Sequence, residues 1–154
     1  MAAELALSLV GVVGTLAGTL TVTALQHRSA RSERTERTEQ DRRRELVQAV
    51  THLVTALADH RRSMWARERL RPTEADETVY TEARSESHRT RADITAPLVT
   101  LSILAPALAH AAGEAARATY ALRGAADHDV LNQARTEAAR ASERLVAAAT
   151  EQLA

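Results

Sequence analysis

Residues 5–26 read LALSLVGVVGTLAGTLTVTALQ, 22 consecutive positions without a charged side chain. At about 1.5 Å per residue, a helix of this length reaches roughly 33 Å, enough to cross a hydrocarbon core of about 30 Å. Its glycines and threonines would weaken a helix in water. They cost less in lipid, where no water competes for the backbone. The stretch predicts a transmembrane helix, with a cleaved signal peptide and a buried core helix as the alternatives.

The flanks of this stretch predict its orientation. The N-terminal flank carries Glu4 and no basic side chain, whereas residues 28–71 hold 12 arginines against 7 acids. Basic flanks stay in the cytoplasm. We therefore expect a single-pass protein of the cytoplasmic membrane with its N-terminus outside and its C-terminal domain in the cytoplasm. The opposite orientation is the alternative.

Small residues follow one another along one side of the predicted span. Their spacings of three, four and three place them on one helix face, and the set comprises Gly11, Gly14, Gly18 and Thr21. Two of the glycines form a GxxxG step, which lets membrane helices pack closely. The face predicts self-association in the membrane, although such steps also occur by chance in apolar segments.

Residues 28–45, RSARSERTERTEQDRRRE, form a basic segment without glycine or proline. It predicts a helical stalk whose first arginines, Arg28, Arg31 and Arg34, contact lipid headgroups. Nucleic acid is the competing partner, because basic runs attract phosphate. Interleaved acids weaken that attraction and no aromatic side chains are present to stack on bases, so the pattern disfavours nucleic acid.

A heptad pattern begins after the stalk. Its members recur at alternating spacings of four and three, which defines one buried helix seam. The seam comprises Leu46, Val50, Leu53, Leu57, His60 and Met64. A histidine in such a seam is typical of packing and not of metal ligation.

Prolines and caps divide the remaining chain into helices predicted at about 46–71, 73–104, 107–123 and 127–153. The second helix could instead end near Thr95, because an interior Pro97 costs about 3 kcal/mol. Folding back about Pro72 would bring Trp65 and Tyr80 together in a cluster at the tip.

The fold class predicted from these patterns is all-α. We expect an N-terminal transmembrane helix that continues into a long cytoplasmic helix, packed as an elongated antiparallel bundle of three to four helices. The domains are an anchor at 1–27, a basic helical stalk at 28–45 and a bundle at 46–154. The core is rich in alanine and has no phenylalanine, so little area is buried per residue and we expect a homo-oligomer.

No pattern for catalysis or cofactor binding is found. Cysteine is absent, the six histidines are scattered, and no phosphate-binding loop or nucleophile elbow occurs. The sequence therefore predicts no enzyme activity, no cofactor and no metal site.

Three strings resemble a group of small single-pass streptomycete proteins called KilB-like: GVVGTLAGTLTVTALQ, ADHRRSMW and TRADITAPLVTLSILAPALAHAAGEAARATYALR. The group is named after a plasmid protein implicated in the spread of conjugative plasmids through the mycelium. The resemblance implies membrane localisation, partner contacts through helices and no known catalysis. It assigns no functional residue.

The combined hypothesis is a membrane-anchored helical scaffold at the inner face of the cytoplasmic membrane, acting in plasmid transfer or spread. Its expected partners are further copies of itself, membrane lipids and a protein that the sequence does not name. The alternatives are a membrane-active protein that forms a pore and inhibits growth, and an accessory protein that handles DNA.

Overall fold

The computed structural model describes residues 36–71 and 76–154 with their side chains, and residues 2–35 as helical backbone alone. It contains four α-helices and one short 3-10 turn, with no strand in the described residues. These elements are α1 (Ala2–Leu70), α2 (Glu77–Leu104), the 3-10 turn (Pro106–Leu108), α3 (Ala109–Tyr120) and α4 (His128–Leu153). The all-α class predicted from the sequence is confirmed.

The predicted membrane features lie outside the side chains that the structure describes. This holds for the span at 5–26, for its small-residue face and for Arg28, Arg31 and Arg34. Within 36–71 and 76–154, no helix is long and apolar enough to cross a membrane. The chain divides into two compact units, Met1–Arg42 and Arg43–Ala154. The second unit is the helical bundle.

Helices α1 and α2 run antiparallel. The side chains of His60 and Ser63 meet Thr90, while Arg67, one turn further along α1, meets Ser87. As the residue number rises along α1, it therefore falls along α2. Helices α3 and α4 then pack together and against the first pair, which completes the bundle.

All six residues of the predicted seam are buried, two of them completely. The four seam residues from Leu46 to Leu57 belong to one hydrophobic cluster with Ile94 and Leu101 of α2, alanines of α3, and Leu145 of α4. Met64 belongs to a second cluster, with Leu122 and Leu131. The seam is therefore covered by helices of the same chain. Alanines such as Ala112 let the helices approach closely, so this core is made of leucine ridges against small residues.

Capping residues set the helix ends. Asp76 accepts a hydrogen bond from the Thr78 N–H and begins α2, and Asp127 accepts one from the Val130 N–H and begins α4. Gly124 has a φ of +77°, the left-handed conformation that favours glycine in the turn between α3 and α4.

Two helix bounds differ from the sequence-based prediction. Helix α2 passes through Pro97 and ends at Leu104, which decides between the two alternatives for its end. The third helix, predicted at 107–123, is instead the 3-10 turn followed by α3, which ends at Tyr120. Pro106 begins this turn because its missing N–H needs no partner at a helix start.

Candidate functional site

One end of the bundle is built mainly from stretches that hold no aspartate, glutamate, lysine or arginine. Three uncharged runs, 46–58 of α1, 94–113 of α2 and α3, and 145–150 of α4, meet there. Their buried members belong to a single hydrophobic cluster, which shows that the three runs lie together in space. We call this region the charge-free end. Since 26% of the chain is charged, the meeting of three uncharged runs is a distinct property of this end.

The charge-free end exposes large aliphatic side chains. Ile103 is 73% exposed, Val99 52%, Val47 49% and Val146 43%. They make up four of the six large hydrophobic residues exposed in the described part of the chain. Clustered exposure of this kind marks a contact surface, whereas single exposed aliphatic residues need no explanation.

Two grooves run along α1 at the charge-free end. The groove between α1 and α4 has a volume of about 340 Å³ and a largely aliphatic lining that includes Val50, Val54 and Leu153. The groove between α1 and α2 has a volume of about 440 Å³. It is lined by Ala49 and Pro97 within the charge-free end and by Asp59 and Asp93 just beyond it. An exposed ridge of α1 separates them; its members are Thr51, His52 and Thr55. The surface therefore offers both a ridge and grooves.

A polar network lies in the bundle at the other end of the seam. His60 Nδ1 lies 3.0 Å from Thr90 Oγ1, and Ser63 Oγ lies 2.8 Å from the same oxygen. Ser63 also donates to the His60 carbonyl oxygen at 2.9 Å. His60 Nδ1–H can donate to Thr90, and the Thr90 hydroxyl lies within reach of both Ser63 Oγ and the Glu86 carbonyl oxygen, the latter at 3.0 Å. The network joins α1 to α2 without a charge.

The imidazole in this network is held neutral. Burial, together with the positive charges of Arg91 and Arg67, lowers the pKa of His60 from 6.5 to about 4. The edge of the ring also meets the ring of Tyr120, with 5.7 Å between centroids. A buried, neutral and hydrogen-bonded histidine matches the packing role predicted for this position.

The structure does not bring Trp65 and Tyr80 together. The Trp65 ring lies between the guanidinium groups of Arg69 at 4.4 Å and Arg135 of α4 at 5.0 Å. Tyr80 lies in the first turn of α2 and belongs to neither hydrophobic cluster. Alignment and rotation both contribute. Ser87 lies level with Arg67, so Tyr80, seven residues earlier on α2, lies away from the level of Trp65. The face of α1 that bears His60 meets α2, while the Trp65 ring lies near Arg135 of α4.

Tyr120 was not singled out from the sequence, yet it is the aromatic residue that contacts His60. It is not one of the buried residues that recur along α3, so the spacing of apolar residues does not indicate a contact at this position. In residues 36–71 and 76–154, no group of three histidine, aspartate or glutamate side chains could hold a metal ion.

The bundle is similar to proteins of a known family. A family model described as "KilB plasmid transfer protein" matches residues 47–153. The chain belongs to the KilB family. It is also 53% identical to Protein KilB of Streptomyces lividans over 142 residues, which cover 92% of this chain and 94% of that protein. The resemblance noted in the sequence is thus confirmed, and no solved structure matches the chain.

The KilB family match coincides with the second compact unit, Arg43–Ala154. The exposed residues of the charge-free end and the His60 network therefore all lie in the part of the chain that the family model matches.

Proposed function

We propose that this chain is a membrane-anchored helical scaffold that acts in plasmid transfer at the inner face of the cytoplasmic membrane. Membership of a family described as a plasmid transfer protein supports the process. The uncharged span at 5–26 and the arginines that follow it support the anchor and its orientation. The observation that carries the scaffold role is the charge-free end, because an exposed aliphatic surface with grooves serves contacts with other molecules.

The partner that we propose for the charge-free end is a second copy of this chain. Copies anchored in one membrane all face the same way, so the same part of each bundle meets its neighbour. The three uncharged runs can meet their copies without like-charge repulsion, which is confined to Asp59 and Asp93 at one end of the α1–α2 groove. A two-fold interface requires such a self-complementary surface, and here a ridge of α1 lies beside two grooves that could receive it. The heptad seam is not available for this contact, because it is buried within the chain.

Replacing Ile103 with glutamate is expected to shift the protein from oligomer to monomer. The substitution places a charge on the exposed aliphatic surface proposed for the contact, where burying it against an uncharged surface would be costly. Ile103 is 73% exposed, so the bundle itself should tolerate the change. The measurement is the mass of the full chain in detergent by sedimentation, together with crosslinking in membranes and the helical circular dichroism signal.

Val79→Glu is the matched control for this prediction. Val79 is also exposed and lies on the same helix, but in its first turn, outside the charge-free end. This variant should keep the wild-type mass. A wild-type chain that is monomeric in membranes, or an Ile103→Glu variant that keeps its oligomer, would contradict the proposed contact.

The double substitution Gly14→Ile and Gly18→Ile is expected to reduce crosslinked species in membranes. Larger side chains on this face would keep two helices from the close approach that a GxxxG step allows. Val12→Ile with Leu16→Ile, on the opposite face of the same helix, should leave crosslinking unchanged. Equal crosslinking in both double variants would show that this face of the membrane helix takes no part in self-association.

The role in plasmid transfer is tested in cells. The chain would replace its Streptomyces lividans relative, and plasmid transfer between mycelia would be counted for the wild type, Ile103→Glu and Val79→Glu. We expect transfer to fall only with Ile103→Glu. Recovery of the wild-type chain in the soluble fraction, or transfer without it at the same frequency, would refute the proposal. Loss of membrane potential on high expression would favour the pore-forming alternative instead.

A further inference from the structure

A small basic pocket lies in the bundle beside His60, away from the charge-free end. Its walls come from α1, α2, α3 and the turn after α3, and its volume is about 20 Å³. Three arginines from three of these elements line it: Arg67 of α1, Arg91 of α2 and Arg123 of the turn. The pocket is also lined by the side chains of His60, Ser87 and Tyr120.

The positive charge of this pocket is poorly compensated. Among residues 36–71 and 76–154, neither Arg91 nor Arg123 forms an ion pair. The carboxylate of Glu68 lies 3.8 Å from Arg67 and is shared with Arg71, whose Nε lies 3.1 Å away. One carboxylate thus serves two arginines, while two further arginines face the pocket without one.

One buried donor on a residue that lines the pocket also lacks an acceptor. The buried Nε of Arg67 has no hydrogen-bond partner, although Nη1 of the same side chain donates to Ser87 Oγ at 3.3 Å. An unpaired buried donor is costly, and an incoming acceptor would remove that cost. The pKa of His60, which also lines the pocket, is lowered by burial and by the charges of Arg91 and Arg67.

We infer that this pocket binds a single phosphate group, either free or as a phosphomonoester. Planar guanidinium groups bind tetrahedral oxyanions through paired, charge-assisted hydrogen bonds, and three of them converge here. The enclosed volume accepts about one oxygen atom of the group. The remaining oxygens lie at the open mouth, beside the exposed Arg91 and Arg123.

The aromatic ring in the pocket favours phosphate over a nucleobase. One face of Tyr120 is covered by the guanidinium of Arg91 at 4.5 Å, and the ring of His60 meets Tyr120 in an edge arrangement. A base would need a free ring face for stacking. Phosphate needs only the arginines. This site lies in the bundle and does not depend on the membrane anchor or on self-association.

The test is calorimetric titration of the full chain in neutral detergent with inorganic phosphate and, separately, with glycerol 3-phosphate. Ionic strength is held constant with chloride. We expect saturable binding of at least one of the two, weakened about tenfold by Arg123→Gln, which removes one charge-assisted hydrogen bond. Arg123→Lys, which keeps the charge, should lose less. Tighter binding of glycerol 3-phosphate would identify a phosphorylated molecule as the ligand, and equal binding would identify free phosphate.

Arg117→Gln is the matched control. It removes one charge from an exposed position on α3 that does not line the pocket. Its affinity should remain within about twofold of the wild type. Unfolding in phosphate-free buffer checks that the variants fold, and Arg91→Gln replaces Arg123→Gln if the latter does not. Absence of saturable binding, or equal weakening by Arg117→Gln and Arg123→Gln, would overturn the inference.

Discussion

Replacing Leu57 with alanine is expected to lower the free energy of unfolding of the bundle by about 3 kcal/mol. Leu57 is completely buried in the main hydrophobic cluster, where its neighbours on α3 and α4 include many alanines. Alanines present short side chains on rigid helices and cannot extend into the space left behind. The cavity therefore stays open, and its cost adds to the lost transfer free energy. Urea unfolding of the full chain, followed by the fluorescence of Trp65, measures the change.

Leu57→Met and Val47→Ala are the controls for this prediction. Methionine nearly conserves the volume and should cost less than about 1.5 kcal/mol. Val47 is about half exposed, so its truncation should change stability by no more than about 0.5 kcal/mol. If Leu57→Ala cost no more than Val47→Ala, the seam would not form the stabilising core of the bundle.

Lowering the pH from 6.5 to 4 is expected to destabilise the bundle by up to about 3 kcal/mol through His60 alone. The pKa of this residue is about 4 in the folded chain and 6.5 in the unfolded one, so the unfolded chain binds the proton first. The contribution is fully present above pH 6.5. It is lost progressively as the pH falls through this window, because the imidazolium would be buried beside Arg91 and Arg67.

His60→Gln separates this effect from the titration of carboxylates, which contributes to both proteins. Glutamine keeps a polar side chain near Thr90 but cannot be protonated. The difference in unfolding free energy between the wild type and this variant should therefore vary between pH 4 and 6.5 and be flat above. A constant difference across the whole range would show that His60 does not resist protonation.

The predictions for Leu57 and His60 both depend on how the core of the bundle is packed. Large side chains come mainly from α1 and α2, and α3 and α4 supply alanines that allow close approach. The His60 network adds a polar contact between α1 and α2 at a single level along the two helices. Together these features fix how the antiparallel pair is aligned, and that alignment brings the uncharged runs to one end and Arg67 and Arg91 to the other.

Much of this arrangement could be predicted from the sequence. Heptad spacing identified the buried face of α1 down to His60 and Met64, since the period of a helix decides which side chains share a face. The three uncharged runs are visible in the sequence, but the sequence does not show that they meet at one end of the bundle. Pro97 left the end of α2 open, because the cost of an interior proline can be offset by packing that the sequence does not show.

By itself, the sequence determined the helical class, the buried face of α1 and the membership of the KilB family. The tertiary structure alone decided what covers that face, which is the chain's own α2, α3 and α4 and not another copy. It alone decided that His60 meets Thr90 and Tyr120, and that Trp65 lies beside Arg135 and not near Tyr80. The physical reason is that periodicity is a local property, whereas the rotation and alignment of packed helices depend on every side chain in the interface at once.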